Sequence, residues 1–238
     1  MHILLIHQNF AALDEPGGTR HHELARYLVE RGHHVTVITS PVSYLTGTAE
    51  SRHGSDTPRR SYTPRRSYSS RLAWIERQEQ DGITFLKTYA YPALHHSFVH
   101  RVFSFFSFMA SSFLAGVGVR DVDLVWGTSP PIFQGVTAWA LARLKRAPFL
   151  FEVRDLWPAF AVGVGVLRQP LLIRASEWLE RFLYRHSDRV MVNSPGFLTH
   201  VKERGARRVE FIPNGADPRM FDPQASGAEF RSQHGLED

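Results

Sequence analysis

A buried-type strand, an amphipathic helix and a second buried-type strand succeed one another within the first forty residues, and this order constrains the fold more than anything else in the chain. "ILLI" (3–6) is a continuous apolar run of strand length, and "HVTVIT" (34–39) is rich in β-branched residues. Between them "TRHHELARYLVERG" sets Leu24, Ala25, Leu28 and Val29 on one helical face, with Thr19 as N-cap and Gly32 as the stop. The pattern then recurs. Strands are expected at 83–89, 123–127, 149–153, 189–193 and 209–212, and helical segments precede most of them. One helix, 131–146, opens on Pro131; another, 174–186, carries Trp178, Leu179, Phe182 and Leu183 at helical spacing. Apolar strands alternating with helices imply an α/β fold, a doubly wound and mostly parallel sheet buried on both faces.

At 238 residues, 43% hydrophobic and 21% charged, the chain has the composition of an ordinary soluble globular protein. Its net charge of +5 would suggest nucleic acid if it were spread over the fold. It is not. Six arginines and one acid, Asp56, lie between Arg52 and Arg71, so this segment accounts for the whole excess. Nucleic acid is therefore not an expected partner. The same segment repeats "TPRRSY" at 57–62 and 63–68 and has almost nothing to bury, so 48–72 reads as a basic, disordered loop. Two explanations stay open: attraction to anionic headgroups or a phosphorylated substrate, and a duplication in a tolerant loop.

The absence of cysteine excludes disulfides, thiolate metal sites and a catalytic thiol, and fits a reducing compartment. "MHILLIHQNF" lacks a basic leader and a long apolar region, so no signal peptide is expected and the location is read as cytoplasmic. From Val102 to Val119 no residue is charged, yet four serines and two glycines argue against a membrane span. On a helical wheel Ser104, Ser107 and Ser111 share a narrow arc, while Val102, Phe103, Phe105, Phe106, Met109 and Phe113 cover the broad opposite side. Either that apolar side packs on the sheet, or it docks peripherally on a bilayer.

Chemistry in a doubly wound sheet belongs to loops beyond the carboxyl ends of the strands. After the first strand, Gly17 and Gly18 precede a helix, where bare backbone lets a phosphate or sugar approach the N–H groups; Arg20, His21 and His22 add donors. This is not G-x-G-x-x-G, and no acid closes the second strand, which disfavours a nicotinamide dinucleotide. "GTSPP" (127–131) offers Ser129 on a stiff loop. "FEVRDLWPAF" gathers the most chemistry. In it Glu152, Arg154 and Asp155 end a buried-type strand, with Trp157 and Pro158 behind them. Arginine forks a phosphate, aspartate accepts from a sugar hydroxyl, and tryptophan offers a ring platform. An internal Arg154–Asp155 ion pair is the plainer alternative.

Together "PGGTRHHELARYLVERGHHVTVIT", "TSPP", "FEVRDLWP", "NSPGF" and "IPNGADPRMF" resemble, in order, the N-terminal half of GT-B glycosyltransferases of family 4, nearest the bacterial surface-polysaccharide and fucosamine transferase-like subgroup. The resemblance implies two facing Rossmann-like domains, the first holding the acceptor and the second a nucleotide-diphosphate sugar, with retaining, metal-free transfer and no cofactor. Carried over by position, Gly17, Gly18 and Arg20 face the donor phosphates. Arg154 and Asp155 flank the reacting sugar as catalytic candidates, and His21, Ser129, Glu152 and Trp157 line the substrate side. Many relatives have His where this chain has Arg154. The resemblance also implies that 1–213 is the acceptor-side domain, that 214–238 begins a linker to a second domain, and that this chain alone has little or no activity. The implied acceptor is a glycan or lipid-linked saccharide. A GT-B-like nucleotide-sugar epimerase and a non-catalytic binding module remain as alternatives.

Overall fold

The computed structural model describes residues 1–10, 19–41, 66–69, 75–92, 98–215, 224 and 226–236, with only the backbone of 66–69, 98 and 99. Among the described residues, nine strands form one sheet. In chain order they are β1 (His2–Ile6), β2 (His34–Thr39), β3 (Arg66–Ser69), β4 (Ile75–Gln80), β5 (Ile83–Thr88), β6 (Leu124–Ser129), β7 (Phe149–Val153), β8 (Arg189–Val192) and β9 (Val209–Phe211). Their order across the sheet is β3-β4-β5-β2-β1-β6-β7-β8-β9, and only the pairs β3–β4 and β4–β5 are antiparallel. The helices are α1 (Arg20–Glu30), α2 (Phe98–Gly118), α3 (Phe133–Lys145), α4 (Ala159–Gly163), α5 (Pro170–His186), α6 (Leu198–Glu203) and α7 (Ala228–His234).

Alternation along each strand splits the core between the two faces. Leu4, Ile6, Val125, Phe149, Phe151, Val190 and Val192 meet Phe108 of α2, Ala138 and Leu141 of α3, and Leu183 of α5. Ile3, Leu5, Val35, Val37, Ile83, Trp126 and Met191 meet Ala25 of α1 on the other face. Strands buried on both sides must be apolar at every position, which is why the central ones read as unbroken runs. Helix α3 comes closest to the sheet. A Cβ on Gly127 would meet the Cβ of Ala138 at 2.6 Å, and one on Gly135 would meet the Phe151 ring at 2.6 Å.

The expected central strands are present. β6 runs two residues past the expected end because Thr128 and Ser129 continue the register with Glu152 and Val153. α3 begins at Phe133 rather than Pro131, and α5 begins four residues early, with a proline in its first turn. Thr19 holds the N-cap position without a side-chain bond, and Gly32 supplies a left-handed turn at φ +81° after α1. Two strands were not expected. β4 ("IERQEQ") is too polar to read as a buried strand, but it serves near the sheet edge, where charge is tolerated and protective. β3 lies inside the basic segment read as a disordered loop, and these four residues pair with β4 instead. The rest of 48–72, apart from 66–69, lies outside the described residues, as do Gly17 and Gly18.

Helix α2 corrects the expected packing. Its serines face the protein and much of its aromatic side faces outward: Ser111 and Ser112 are buried, whereas Phe103 and Phe106 are more than half exposed. The reason is local. Ser107 Oγ accepts from Tyr91 N at 2.8 Å and Ser111 Oγ donates to Tyr89 O at 2.5 Å, so the serines satisfy the backbone that leaves β5. Of the residues at helical spacing on α5, Trp178 is likewise exposed, while Leu183 is buried.

Candidate functional site

Strand order reverses its direction of growth between β1 and β6, so the crevice beyond their carboxyl ends is where such a sheet takes a ligand. Four segments converge there: His7 and Gln8 after β1, Ser129 to Pro131 at the end of β6, Arg154 and Asp155 after β7, and the first turn of α1. Gln134, in the first turn of α3, braces the floor. Its Oε1 accepts from Gln8 N at 2.7 Å and its Nε2 donates to Thr128 O at 2.7 Å, tying the ends of β1 and β6 to one side chain.

Glu152 is the electrostatic centre. Alternation along β7 turns Phe151 to one face and Glu152 to the other, beneath α1, where the side chain has no solvent exposure. Oε1 accepts from Arg20 Nε at 2.8 Å, and Oε2 from His21 Nε2 at 2.6 Å and Trp126 Nε1 at 3.2 Å. Burial alone would raise its pKa, but these donors and the adjacent positive charge outweigh burial and hold the carboxyl near 2. Desolvation lowers His21 in turn, so the site is an Arg20–Glu152 ion pair with a neutral imidazole donating to it. Arg20 continues to Pro213 O at 2.6 Å and Ile212 O at 2.8 Å. One guanidinium thus joins the start of α1, β7 and the chain leaving β9.

His7 stacks on His21 with ring centroids 4.3 Å apart, and neither of its ring nitrogens has a hydrogen-bond partner. Desolvation, reinforced by the charge of Arg154, keeps the ring well below the ordinary imidazole pKa. A buried polar group without partners is uncommon and marks this position for function. Sequence reading passed over both His7 and Gln134. The signal for His7 was present, a polar residue directly after the first buried strand at the carboxyl edge.

The structure brings Arg20, His21, Ser129, Glu152, Arg154 and Asp155 to one edge, in different roles. Arg154 is half-buried and donates from Nε to Ser129 O and from Nη2 to Pro130 O, both at 3.1 Å. Asp155 is exposed. Both follow directly on β7 at the carboxyl edge of the sheet. Glu152 and His21, read as substrate-binding, are enclosed: the carboxylate accepts from Arg20, His21 and Trp126, His21 gives it Nε2, and Arg20 spends its donors on Glu152 and two carbonyls. Ser129 is buried, with its hydroxyl aimed at Glu152 O, 3.4 Å away. Trp157 is half-buried against Phe133 of α3, centroids 6.2 Å apart. Among the described residues no three His, Asp or Glu side chains converge on a point that could hold a metal ion.

Sheet order and the crevice at its switch point define the class: a doubly wound Rossmann-like domain of the kind that forms the N-terminal half of a GT-B fold. The chain belongs to the glycosyl transferase 4-like domain family, whose model matches residues 17–215. Sucrose-phosphate synthase from Thermosynechococcus elongatus superimposes with a TM-score of 0.61 at 16% identity, covering 99% of this chain and 53% of that one. Anabaena HepE, solved in complex with UDP and glucose, gives 0.55 at 15% identity, with 99% and 50% covered. The catalytic domain of starch synthase IV from Arabidopsis thaliana, bound to ADP and acarbose, gives 0.59 at 14% identity, with 93% and 54% covered. The chain therefore spans about half the length of the solved structures it matches. A comparison with curated proteins returned no match.

Proposed function

We propose that this chain is the acceptor-side half of a retaining glycosyltransferase, nearest the surface-polysaccharide and fucosamine transferase-like subgroup. The complete enzyme moves a sugar from a nucleoside-diphosphate donor to a glycan or lipid-linked saccharide, in the cytoplasm at the inner membrane face, without a metal or other cofactor. The family match over 17–215 carries this reading. The geometry supports it by setting a half-buried arginine and an exposed aspartate side by side at the crevice mouth.

In this reading Arg154, oriented by two carbonyls, places its positive charge near the developing diphosphate, while Asp155 accepts from an acceptor hydroxyl. Gly17 and Gly18 allow the donor phosphates close to the backbone ahead of α1. Glu152, His21 and Arg20 are positioning residues, setting the start of α1 against β7. A second, donor-binding half completes the site, so the chain by itself turns over little or nothing.

The test is a titration of the isolated chain with a lipid-linked saccharide and with UDP- and GDP-sugars, followed by backbone amide shifts and by product formation. The expected result is acceptor-dependent shifts at 129–131 and 154–157 and no product. Product at ordinary enzyme rates overturns the half-enzyme assignment. Shifts confined to another face of the sheet overturn the acceptor assignment.

A further inference from the structure

β9 is the shortest strand among the described residues, and it is fixed from both ends. Its three residues lie at the sheet edge, with Glu210 and Phe211 exposed, so apolar burial does little to hold them. Two fully buried carboxylates flank it. On the approach, Glu180 of α5 accepts from Tyr184 Oη at 3.0 Å and from His200 Nε2 at 2.7 Å, and pairs with Arg204 Nε at 2.8 Å. His200 lies in α6 and Arg204 caps its end, one short turn before β9. The start of the strand is thereby set against α5.

The departure is fixed through Glu152. Ile212 N donates to Val192 O at 2.9 Å, and the next residue, Pro213, has no N–H with which to continue the ladder. The sheet lets go of the backbone there, and Arg20 takes it up. Nη2 donates to Ile212 O at 2.8 Å and Nη1 to Pro213 O at 2.6 Å, while Nε donates to Glu152 Oε1 at 2.8 Å. The guanidinium is itself immobilised, because Glu152 has no exposure and is also held by His21 and Trp126. Stability is the poorer account of this arrangement. An apolar pair of the same volume is often as stable as a buried ion pair, and one carbonyl would satisfy a terminal nitrogen. Two consecutive carbonyls gripped by one planar fork restrict the direction of the chain as well.

We propose that Arg20 is a positioning residue for the chain beyond Pro213: it locks the departing backbone to α1 and β7, so that a following domain takes its orientation from the crevice and not from the edge strand. The lock is a property of this chain. Its consequence for transfer, that the donor-binding half is held in register with the crevice, rests on the reading given above.

The chain has no cysteine, so two introduced thiols can be spin-labelled without background. The test is double electron–electron resonance between nitroxides at Gly215→Cys, where an added side chain meets nothing within 4 Å, and Leu144→Cys, exposed on α3. Expected is one narrow distance distribution in the doubly labelled parent. Arg20→Lys keeps a cation for Glu152 but cannot hold both carbonyls, and should broaden it. Arg20→Ala is read beside it where circular dichroism shows it folded. Hydrogen exchange gives the size: the Ile212 amide should exchange about tenfold faster or more relative to amides of β6, the equivalent of one lost bond to a charged group. A control, Arg26→Ala, removes an α1 arginine that pairs with Glu23 and should leave the distribution narrow. A broad distribution in the parent overturns the proposal, as does one that stays narrow in the Arg20 variants, since β9 alone then holds the exit. Broadening in Arg26→Ala also overturns it, by assigning the effect to the charge of α1. No sugar, nucleotide or second half enters the measurement, so its failure leaves the transfer reading standing, and failure of the acceptor titration leaves the lock standing.

Discussion

Arg20 reaches Glu152 Oε1 at 2.8 Å with its Nε while its two terminal nitrogens hold the carbonyls of Ile212 and Pro213. A fully buried carboxylate thereby fixes where the chain leaves the sheet after β9. Replacing Glu152 by Ala leaves Arg20 Nε and His21 Nε2 with no acceptor in a dry site, and the expected loss is about 3–5 kcal/mol, within the range for breaking a buried pair. Urea denaturation measures it. Hydrogen exchange supplies the second readout: amides at 211–215 should open more readily in the variant, and unchanged exchange there would refute the tie through Arg20.

Gly135 sets two effects against each other. Alanine is the better helix former by about 1 kcal/mol, so an exposed glycine in α3 would gain from the change. Here the added Cβ would meet the Phe151 ring at 2.6 Å and Leu183 Cδ1 at 2.9 Å, both fully buried and unable to yield. Overpacking should win, with Gly135→Ala destabilising by about 1–3 kcal/mol. A thermal melt above the wild-type midpoint would show that the α3–sheet interface has room.

The central strands were legible because burial on both faces forces apolar residues at every position, as in "ILLI" and "FLFEV". The edge strands were not, since β4 is selected for solubility rather than burial and carries Glu76, Arg77 and Glu79. The site was legible by place and only partly by role. That Glu152 and Arg154 close a strand could be read in sequence; that alternation points Glu152 under α1, to be consumed by Arg20, His21 and Trp126, depends on which face α1 covers. Helix α2 misled for a related reason. Its wheel sets Ser104, Ser107 and Ser111 apart from Phe103 and Phe106, but the serine arc also carries the fully buried Phe108, and on that side Tyr89 O and Tyr91 N find their partners.

Arg154 has a guanidinium held in place by the loop that ends β6. Its Nε and one Nη hold the carbonyls of Ser129 and Pro130, which orients the group before any ligand arrives. In an enzyme completed by its donor-binding half, Arg154→Ala should lower kcat/KM by about 10²–10³-fold, the size expected for one preorganised donor at a developing negative charge. Steady-state kinetics, with circular dichroism to count folded protein, checks this. A decrease no larger than the loss of folded enzyme would remove Arg154 from the chemistry and leave it a brace for the β6 loop.

The paired imidazoles make stability depend on pH in a definite direction. His7 and His21 are buried with lowered pKa values, so in the folded chain they stay neutral at pH values where the unfolded chain, near its ordinary 6.5, takes up protons. The unfolded state binds more protons, and stability therefore falls as pH drops below about 6.5, by up to about 1.4 kcal/mol per pH unit for each such histidine until its folded pKa is reached. Glu152 adds little in this window, because its own loss begins only as pH falls from about 4.5 toward 2. His7→Phe keeps the ring stack on His21 and sacrifices no hydrogen bond, since neither ring nitrogen of His7 has a partner. The variant should match or exceed the wild type at pH 7.5 and outlast it increasingly toward pH 5, its slope shallower by one proton. Urea midpoints at four pH values measure the difference. Parallel slopes would mean that His7 takes its proton as readily folded as unfolded, and that the dry, neutral stack beneath the crevice is wrong.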